Sequence, residues 1–181
     1  DSSTREGSPW LLDLEEGRKT PLAGDDHWYW GPDWSPDGRR VACCSSRSGA
    51  GEVWELETAP DGAWRLLTRH GGNCAAAGYA PDGKRLAFLS RRDGPYDLWV
   101  LEADGETRAL TRQGLWLDPF EGLGPRVGVS FAWSPDGREL AYSLARRDGD
   151  RAWALEVHAA PVDGGAPRLL LRRRAETREE C

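Results

Sequence analysis

The chain contains 181 residues, of which 39% are hydrophobic, enough to build the core of one or two domains. Its formal net charge of -6 at pH 7 argues against nucleic-acid binding, because a surface that neutralises phosphates must be basic. No run approaches the roughly 18 apolar residues that a membrane helix needs, so we expect no membrane span.

The first segments of the chain differ in character. Residues 1–9 are mostly small and polar, and we expect a linker or a disordered segment there. Residues 10–24, WLLDLEEGRKTPLAG, match only the second half of a repeat that fills the rest of the chain, with Leu12 standing 42 residues before Trp54. This segment therefore predicts the outer half of one repeat unit.

A turn motif recurs three times along the chain. Ser-Pro-Asp-Gly at 35–38 returns as Ala-Pro-Asp-Gly at 80–83 and as Ser-Pro-Asp-Gly at 134–137. Proline presets φ for the first central position of a type I turn, and glycine takes the left-handed position that follows. The motif thus predicts three tight turns between antiparallel strands, built by Pro36, Asp37, Gly38, Pro81, Asp82, Gly83, Pro135, Asp136 and Gly137.

Each turn is followed by the same order of short apolar segments. These are RRVACCSS, KRLAFLS and RELAYSL, then EVWELE, DLWVLE and RAWALE, then WRLLTR, TRALTR and PRLLLR. Each turn proline precedes a tryptophan by 18 residues, at Trp54, Trp99 and Trp153. We expect these tryptophans to form one buried stripe with Leu56, Leu101 and Leu155, and Trp30 and Trp34 to share a buried parity in the strand before the first turn.

The repeat predicts the fold class. Four short antiparallel strands in units of about 42 to 54 residues are the signature of a β-propeller blade. We predict an all-β open arc of three full four-stranded blades plus a partial N-terminal blade. Within this one propeller domain we expect the outer half of a blade at 10–24, blades at 25–69, 70–112 and 113–171, the last with a long crossing loop, and a charged tail at 172–181.

The ends of the arc carry a further expectation. The first segment supplies only outer strands, and no closing unit follows the third blade. We therefore expect a missing part of the same protein to complete the ring, and the segment alone to be marginally stable or self-associating.

The repeated segments resemble a known family of repeats. WSPDGRRVACCSSRSG, APDGKRLAFLSRRDGPYDLWVLEADGETRALT and WSPDGRELAYSLARRDG look like TolB-like β-propeller repeats, which TolB, tricorn protease and the propellers of prolyl-oligopeptidase-type serine peptidases share. The resemblance covers about residues 10 to 171. It implies the fold but leaves the function open, because this repeat serves unrelated proteins.

Two functions are consistent with the resemblance. The first is the substrate-gating propeller of a prolyl-oligopeptidase-like serine peptidase, which implies a cytoplasmic location. The alternative is a TolB-like envelope propeller for protein-protein interaction, which implies a periplasmic one. Both predict a protein or peptide as the partner. The sequence itself does not fix the compartment.

Unusual residues collect in the loops opposite the turns. We predict a binding face there from His27, Trp28, Tyr29, Arg47, Arg91, Arg92, Tyr96, Trp116, Arg146 and Arg147. Exposed aromatics beside guanidinium groups suit recognition of peptides or carboxylates, with His27 and Tyr29 pointing away from a buried Trp30. The alternative is that the aromatics brace the long crossing, while the arginines pair with Asp93, Asp148 and Asp150.

The sequence offers no catalytic or metal-binding motif. The segment Gly128–Ala132, GVSFA, lacks the closing glycine of a nucleophile elbow and stands on a predicted strand. Four cysteines without CxxC spacing and three distant histidines disfavour zinc, and adjacent Cys43 and Cys44 would point to opposite faces of a strand. We expect no cofactor, no catalytic residue and reduced cysteines.

Overall fold

The structure, a computed structural model, describes residues 9–59, 62–69, 73–115, 130–147 and 153–175, with only the backbone for 145–147, 153 and 175. This part of the chain holds fourteen strands and no helix. They are β1 (Trp10–Leu12), β2 (Lys19–Pro21), β3 (Tyr29–Trp34), β4 (Arg40–Ser45), β5 (Glu52–Glu57), β6 (Trp64–Leu66), β7 (Cys74–Tyr79), β8 (Leu86–Ser90), β9 (Asp97–Leu101), β10 (Thr107–Ala109), β11 (Phe131–Trp133), β12 (Glu139–Arg147), β13 (Trp153–Pro161) and β14 (Arg168–Ala175).

Three four-stranded antiparallel sheets and one hairpin are built from these strands. Blade one is β3-β4-β5-β6, blade two is β7-β8-β9-β10 and blade three is β11-β12-β13-β14, while β1 and β2 form an N-terminal hairpin. Each strand pairs with its neighbours in sequence, so short turns connect them all within a blade. The predicted all-β arc of three blades and a partial one is confirmed.

The predicted Pro-Asp-Gly turns join the first and second strands of each blade. The amide of Gly38 donates to the carbonyl of Ser35 at 2.9 Å, and the second and third turns repeat this bond at the same distance. The φ angles of the three turn glycines are 69°, 66° and 68°, in the left-handed region that side chains disfavour. The turn assignment is confirmed.

The core lies between the blades. Ala42, Cys44 and Val53 of blade one pack on one face of blade two, and the other face of blade two packs on Leu140, Tyr142, Leu144, Ala160 and Val162 of blade three. All five residues of β8 are buried, because their side chains alternate between the two interfaces. Face-to-face packing of sheets therefore stabilises the arc.

A β-bulge in β3 changes which of its side chains share a face, so the prediction for Trp34 is wrong. Trp30 pairs with Cys44 and Asp33 with Ala42, so three residues of β3 advance against two of β4. Trp30 packs against the interface of blades one and two, as predicted, and its indole donates to the carbonyl of Cys74 at 2.9 Å. Trp34 was expected on the same buried face, but the bulge places it on the opposite face, where it is 47% exposed.

In the third blade, β12 and β13 pair in a different register from the one that the sequence predicted. Trp54 pairs with Cys43 and Trp99 with Phe88, but the equivalent Tyr142 pairs with His158, five residues beyond Trp153. An odd shift inverts the faces of a strand. The expected stripe therefore ends before blade three: Leu155 is 37% exposed, and Trp153 pairs with Arg147 through the backbone. The last strand also continues to Ala175, into the segment expected to be a charged tail.

A disulfide corrects the expectation that the cysteines are reduced. Cys44 of β4 and Cys74 of β7 are bonded across the interface of blades one and two, with their Cα atoms 5.8 Å apart. Both are nearly inaccessible to solvent. Cys43 points to the opposite face and stays a free thiol, and burial raises its pKa to about 12. Spacing in sequence could not reveal the pair, because the two strands belong to different blades.

The second turn offers a test of the backbone assignment. In Gly83→Val we expect the free energy of unfolding to fall by about 1–3 kcal/mol, because a β-branched side chain resists the φ of 66°. Urea unfolding measures it. Gly24→Val is the control, since a Cβ at Gly24 meets no atom within 4 Å and its φ is not left-handed. Equal stability of both variants would contradict the turn.

The disulfide makes a second, independent prediction. Denatured protein should show two fewer reactive thiols before reduction than after it, and reduction should lower the free energy of unfolding by about 3–4 kcal/mol, as expected for the 30-residue separation. Thiol titration and urea unfolding measure these quantities. A Cys44→Ala, Cys74→Ala double variant should not respond to reductant. An unchanged thiol count would exclude the bond.

Candidate functional site

The predicted binding face lies at the ends of the blades opposite the Pro-Asp-Gly turns. Antiparallel pairing brings together there the loops 46–51 and 91–96 and the crossing 22–28 that leads into blade one. We call this surface the loop face. The residues predicted for this face fall into three groups. One surrounds Arg47, the second is Arg92 stacked on an aromatic ring, and the third is a few exposed side chains.

Arg47 is the centre of the first group. Its guanidinium contacts the carboxylate of Asp25 and donates to the hydroxyl of Tyr29 at 2.9 Å, and that hydroxyl donates to Asp25 at 2.6 Å. The guanidinium also lies 5.5 Å from the ring centroid of Trp54 and 5.0 Å from that of Trp64. Asp25 and Tyr29 therefore both accept bonds from one terminal nitrogen of Arg47, which braces the crossing into blade one.

Tyr29 does not point into solvent as expected. It is only 8% exposed and packs with Ala23 and Cys43, with its ring 5.1 Å from that of Trp64. Tyr29 points away from Trp30, as expected, but that face of β3 is covered by Ala23 and Trp64 and is not open to solvent. Burial and the bond to Asp25 raise the pKa of Tyr29 to about 12. Its hydroxyl is thus a structural donor.

Arg92 forms the second arginine stack, 45 residues after Arg47. Its guanidinium carbon lies 3.4 Å from the ring centroid of Trp99 and 5.6 Å from that of Phe88. Burial lowers the pKa of Arg92, although Asp93 and Glu52 act in the opposite direction. Its Nε and one terminal nitrogen are shielded from water without any hydrogen-bond acceptor.

The other predicted residues take different positions. His27, Trp28 and Arg91 are exposed, and Trp28 is 64% exposed. Tyr96 is half-buried and packs against the core of blades two and three. Arg146 and Arg147 lie in β12, their side chains beyond the description, and Trp116 lies outside the described residues. A single convergent cluster of all ten residues is not observed among those described.

Sequence reasoning missed a buried charged network between blades one and two. Glu55 of β5 is 4% exposed; Arg65 donates to its Oε1 at 2.6 Å, and Arg40, at 3.1 Å, and the hydroxyl of Tyr79 both donate to its Oε2. Burial and the bond to Glu55 raise the pKa of Tyr79 above its usual value. The only signal in the sequence was a glutamate between two apolar residues in EVWELE.

The innermost strands form the wall of an open groove. It has a volume of about 600 Å³ and is lined by small residues, among them Gly31 and Gly78, with Asp33 and Phe131. The Asp33 carboxylate accepts the backbone N–H of Tyr79 at 2.8 Å, and the Trp133 indole donates to the carbonyl of Gly78 at 3.1 Å. These bonds between blades fix the wall.

Three further observations bear on chemistry. The hydroxyl of Ser130 lies 3.2 Å from that of Ser143, so the serine of the GVSFA segment has another hydroxyl as its neighbour. Within the described ranges, no three His, Cys, Asp or Glu side chains are grouped so that they could hold a metal ion. The same residues contain no helix long and apolar enough to cross a membrane.

Comparison with known proteins identifies the architecture. TolB from Acinetobacter baumannii superimposes with a TM-score of 0.68 at 22% identity, covering 90% of this chain and 37% of that one. A putative TolB from Agrobacterium tumefaciens gives 0.69 at 22% identity, covering 91% and 56%. The tricorn protease gives 0.65 at 13% identity, covering 90% and 15%.

The fold is a β-propeller. The propeller arc spans less than two thirds of each of these proteins, and peptidases and oligogalacturonate lyases are also among the similar structures. No family model and no curated protein matches the sequence. At these identities the comparisons establish the fold alone.

The Arg47 cluster predicts an acid dependence of stability. Burial would raise the pKa of Asp25, but the bonds from Tyr29 and the His27 amide and the charge of Arg47 outweigh it, so the pKa is lowered. The stabilisation by Asp25 is therefore complete above the unfolded pKa of about 4 and is lost as pH falls through the lower folded value.

Asp25→Asn should lower the free energy of unfolding by about 1–2 kcal/mol at neutral pH. The deficit relative to the parent should shrink as pH falls below about 4. Urea unfolding across that range measures it. The exposed Glu15→Gln serves as the control, and a deficit independent of pH would show that the Asp25 charge does not stabilise the cluster.

Proposed function

We propose that this propeller arc is a non-catalytic recognition module that binds a protein or peptide and works in an oxidising compartment. The observation that carries the proposal is the buried disulfide between blades one and two. Structural disulfides persist in secreted and periplasmic proteins and are rare in the reducing cytosol. Of the two functions that the repeats suggested, the disulfide supports the TolB-like envelope propeller.

Trp28 is the best candidate for a contact residue. Its amide donates to the hydroxyl of Ser46 at 3.0 Å, and its carbonyl accepts the amide of Ser46 at 3.1 Å. The backbone of Trp28 is thereby tied to the next loop while its indole projects into solvent. A large aromatic held on an ordered backbone suits an interface anchor, because little conformational entropy is lost on binding.

The ionisable groups support a role without catalysis in this chain. Tyr29, Cys43 and Tyr79 have raised pKa values, but each is buried in contacts within or between blades. Arg40 and Arg65 are paired with Glu55. Groups committed to packing in this way hold the scaffold and do not meet a substrate.

A second candidate is the gating propeller of a prolyl-oligopeptidase-like peptidase. The groove along β3, β7 and β11 favours it, because a wall of innermost strands faces the passage that a closed propeller would enclose. In either function we propose that further blades from the same protein complete the ring. The exposed Trp34 at one end of the arc and Leu169, Leu170 and Leu171 in the last strand would lie against them.

Site-specific photocrosslinking tests the proposal. A photoreactive residue is placed at position 28 of the full-length protein that contains this chain, expressed in its source cells. It should give a discrete adduct in the envelope fraction. Position 14 is the control, since Leu14 is 88% exposed on the N-terminal hairpin. Trp28→Ala should weaken binding of the identified partner about tenfold or more, and Leu14→Ala should leave it unchanged.

Other outcomes would reject one function or both. An adduct only with a cytosolic peptide substrate would support the peptidase propeller. Equal labelling from positions 14 and 28, or none, would reject Trp28 as a contact with a protein partner.

A further inference from the structure

Blades one and two place an arginine at the same position of the repeat but surround it differently. Arg47 and Arg92 each follow the second strand of their blade, and each stacks on the tryptophan that stands seven residues later, Trp54 or Trp99. Arg92 lies closer to its ring, at 3.4 Å against 5.5 Å. The stack is thus a common feature of the two blades, and the partners of the guanidinium are what differ.

In blade one, side chains of the protein itself bind the guanidinium of Arg47. The carboxylate of Asp25 and the hydroxyl of Tyr29 both bind the guanidinium of Arg47. The residue 45 positions after Tyr29 is Cys74, whose sulfur is consumed in the disulfide with Cys44. The residue 45 positions after Asp25 is His70, which lies outside the described residues. Blade two therefore has neither the carboxylate nor the hydroxyl at these repeat positions.

Among the described residues, the acidic side chains near Arg92 do not give it the hydrogen bonds that Asp25 and Tyr29 give Arg47. Asp97 accepts bonds from the Thr111 hydroxyl at 2.6 Å and the Gly114 amide at 3.2 Å, and Glu52 accepts a bond from the hydroxyl of Thr68. Asp93 is exposed and, in the described part of the chain, forms no ion pair with Arg92. Two shielded nitrogens of Arg92 thus remain without an acceptor.

The chemistry of the stack indicates what would satisfy them. A guanidinium that lies flat on an aromatic ring keeps its N–H groups in its own plane, where they can form two parallel bonds with a carboxylate. Shielded donors without an acceptor are costly, and an anion that binds there removes this cost. The side chain of Arg92 as a whole is half-buried, so the guanidinium lies close to the surface, and an anion reaches its two shielded nitrogens by displacing the atoms that cover them.

We propose that Arg92, stacked on Trp99, is the receptor for a carboxylate of the bound peptide, playing for a ligand the part that Asp25 plays for Arg47. This inference rests on the proposed function and specifies the ligand group that the loop face recognises. The carboxylate comes from a peptide C-terminus or from an Asp or Glu side chain, and both sources present the same two oxygens.

Arginine side-chain NMR tests the receptor directly. In the full chain labelled with ¹⁵N-arginine, the Nε–H signal of Arg92 is assigned by its loss in Arg92→Lys. Acetylated tetra-alanine with a free C-terminus, the same peptide as its amide, and an amidated peptide with one central aspartate are the probes. We expect the signal of Arg92 to shift with at least one carboxylate peptide and to stay in place with the uncharged amide.

Matched variants separate this site from general charge attraction. Arg92→Gln should reduce the association constant for the carboxylate peptide about tenfold or more. The exposed neighbour Arg91→Gln should reduce it less than about twofold. If Arg92→Gln does not fold, the shift of the Arg92 signal in the parent with a carboxylate peptide and its absence with the uncharged amide still decide the question.

The proposal fails if neither carboxylate peptide moves the Arg92 signal, or if Arg91→Gln loses as much affinity as Arg92→Gln. A response to the free C-terminus alone identifies a C-terminal receptor, and a response to aspartate alone identifies an acidic-side-chain receptor. A carboxylate-dependent shift without a photocrosslink at position 28 would support the carboxylate site at Arg92 and reject the protein partner at Trp28. A crosslink without the shift would support the protein partner and reject the carboxylate site.

Discussion

The packing of one sheet face against the next is the constraint on which the other features of this protein depend. In β8 the side chains of Leu86 and Phe88 face blade one, while those of Ala87 and Leu89 face blade three. A sheet that is apolar on both faces cannot leave either face in water, so a blade is stable only between neighbours. This explains why the exposed apolar side chains include Trp10, Leu12 and Trp34 toward one end of the arc and Leu169, Leu170 and Leu171 at the other.

Packing of this kind also determines how the inner strands are built. A Cβ at Gly31 would lie 3.3 Å from the Cα of Ala76, and one at Gly78 would lie 3.1 Å from the ring of Phe131. The inner strands of adjacent blades thus approach closely enough for backbone atoms to exchange hydrogen bonds with side chains of the next blade. Small residues serve the close approach, and the resulting wall lines the groove.

The repeat shows where a shared scaffold leaves room for function. Glu55 and Tyr79, which form a buried charged contact between blades one and two, are replaced at the next interface by Val100 and Trp133, with Arg85 stacked 5.3 Å from the indole. Arg47 keeps its protein partners, whereas Arg92 lacks them. Equivalent positions thus make structural contacts in one blade and lack them in another. A repeat protein can acquire a ligand site in this way without changing its fold.

The sequence by itself determined the blades, the turns and most of the interior, because Pro-Asp-Gly turns and alternating apolar residues are local signals. It did not determine the pairing of Cys44 with Cys74, the buried position of Tyr29 or the exposure of Trp34. Contact between blades decides the first, the packing of Ala23 and Trp64 decides the second, and a bulge in β3 decides the third. The uniform spacing from proline to tryptophan suggested that Trp153 repeats Trp99, whereas a register shift gave that place to His158. Of the candidate site, the sequence located the loop face and its arginines. Only the tertiary structure decided which arginine is satisfied, since that depends on side chains brought together from different strands and blades.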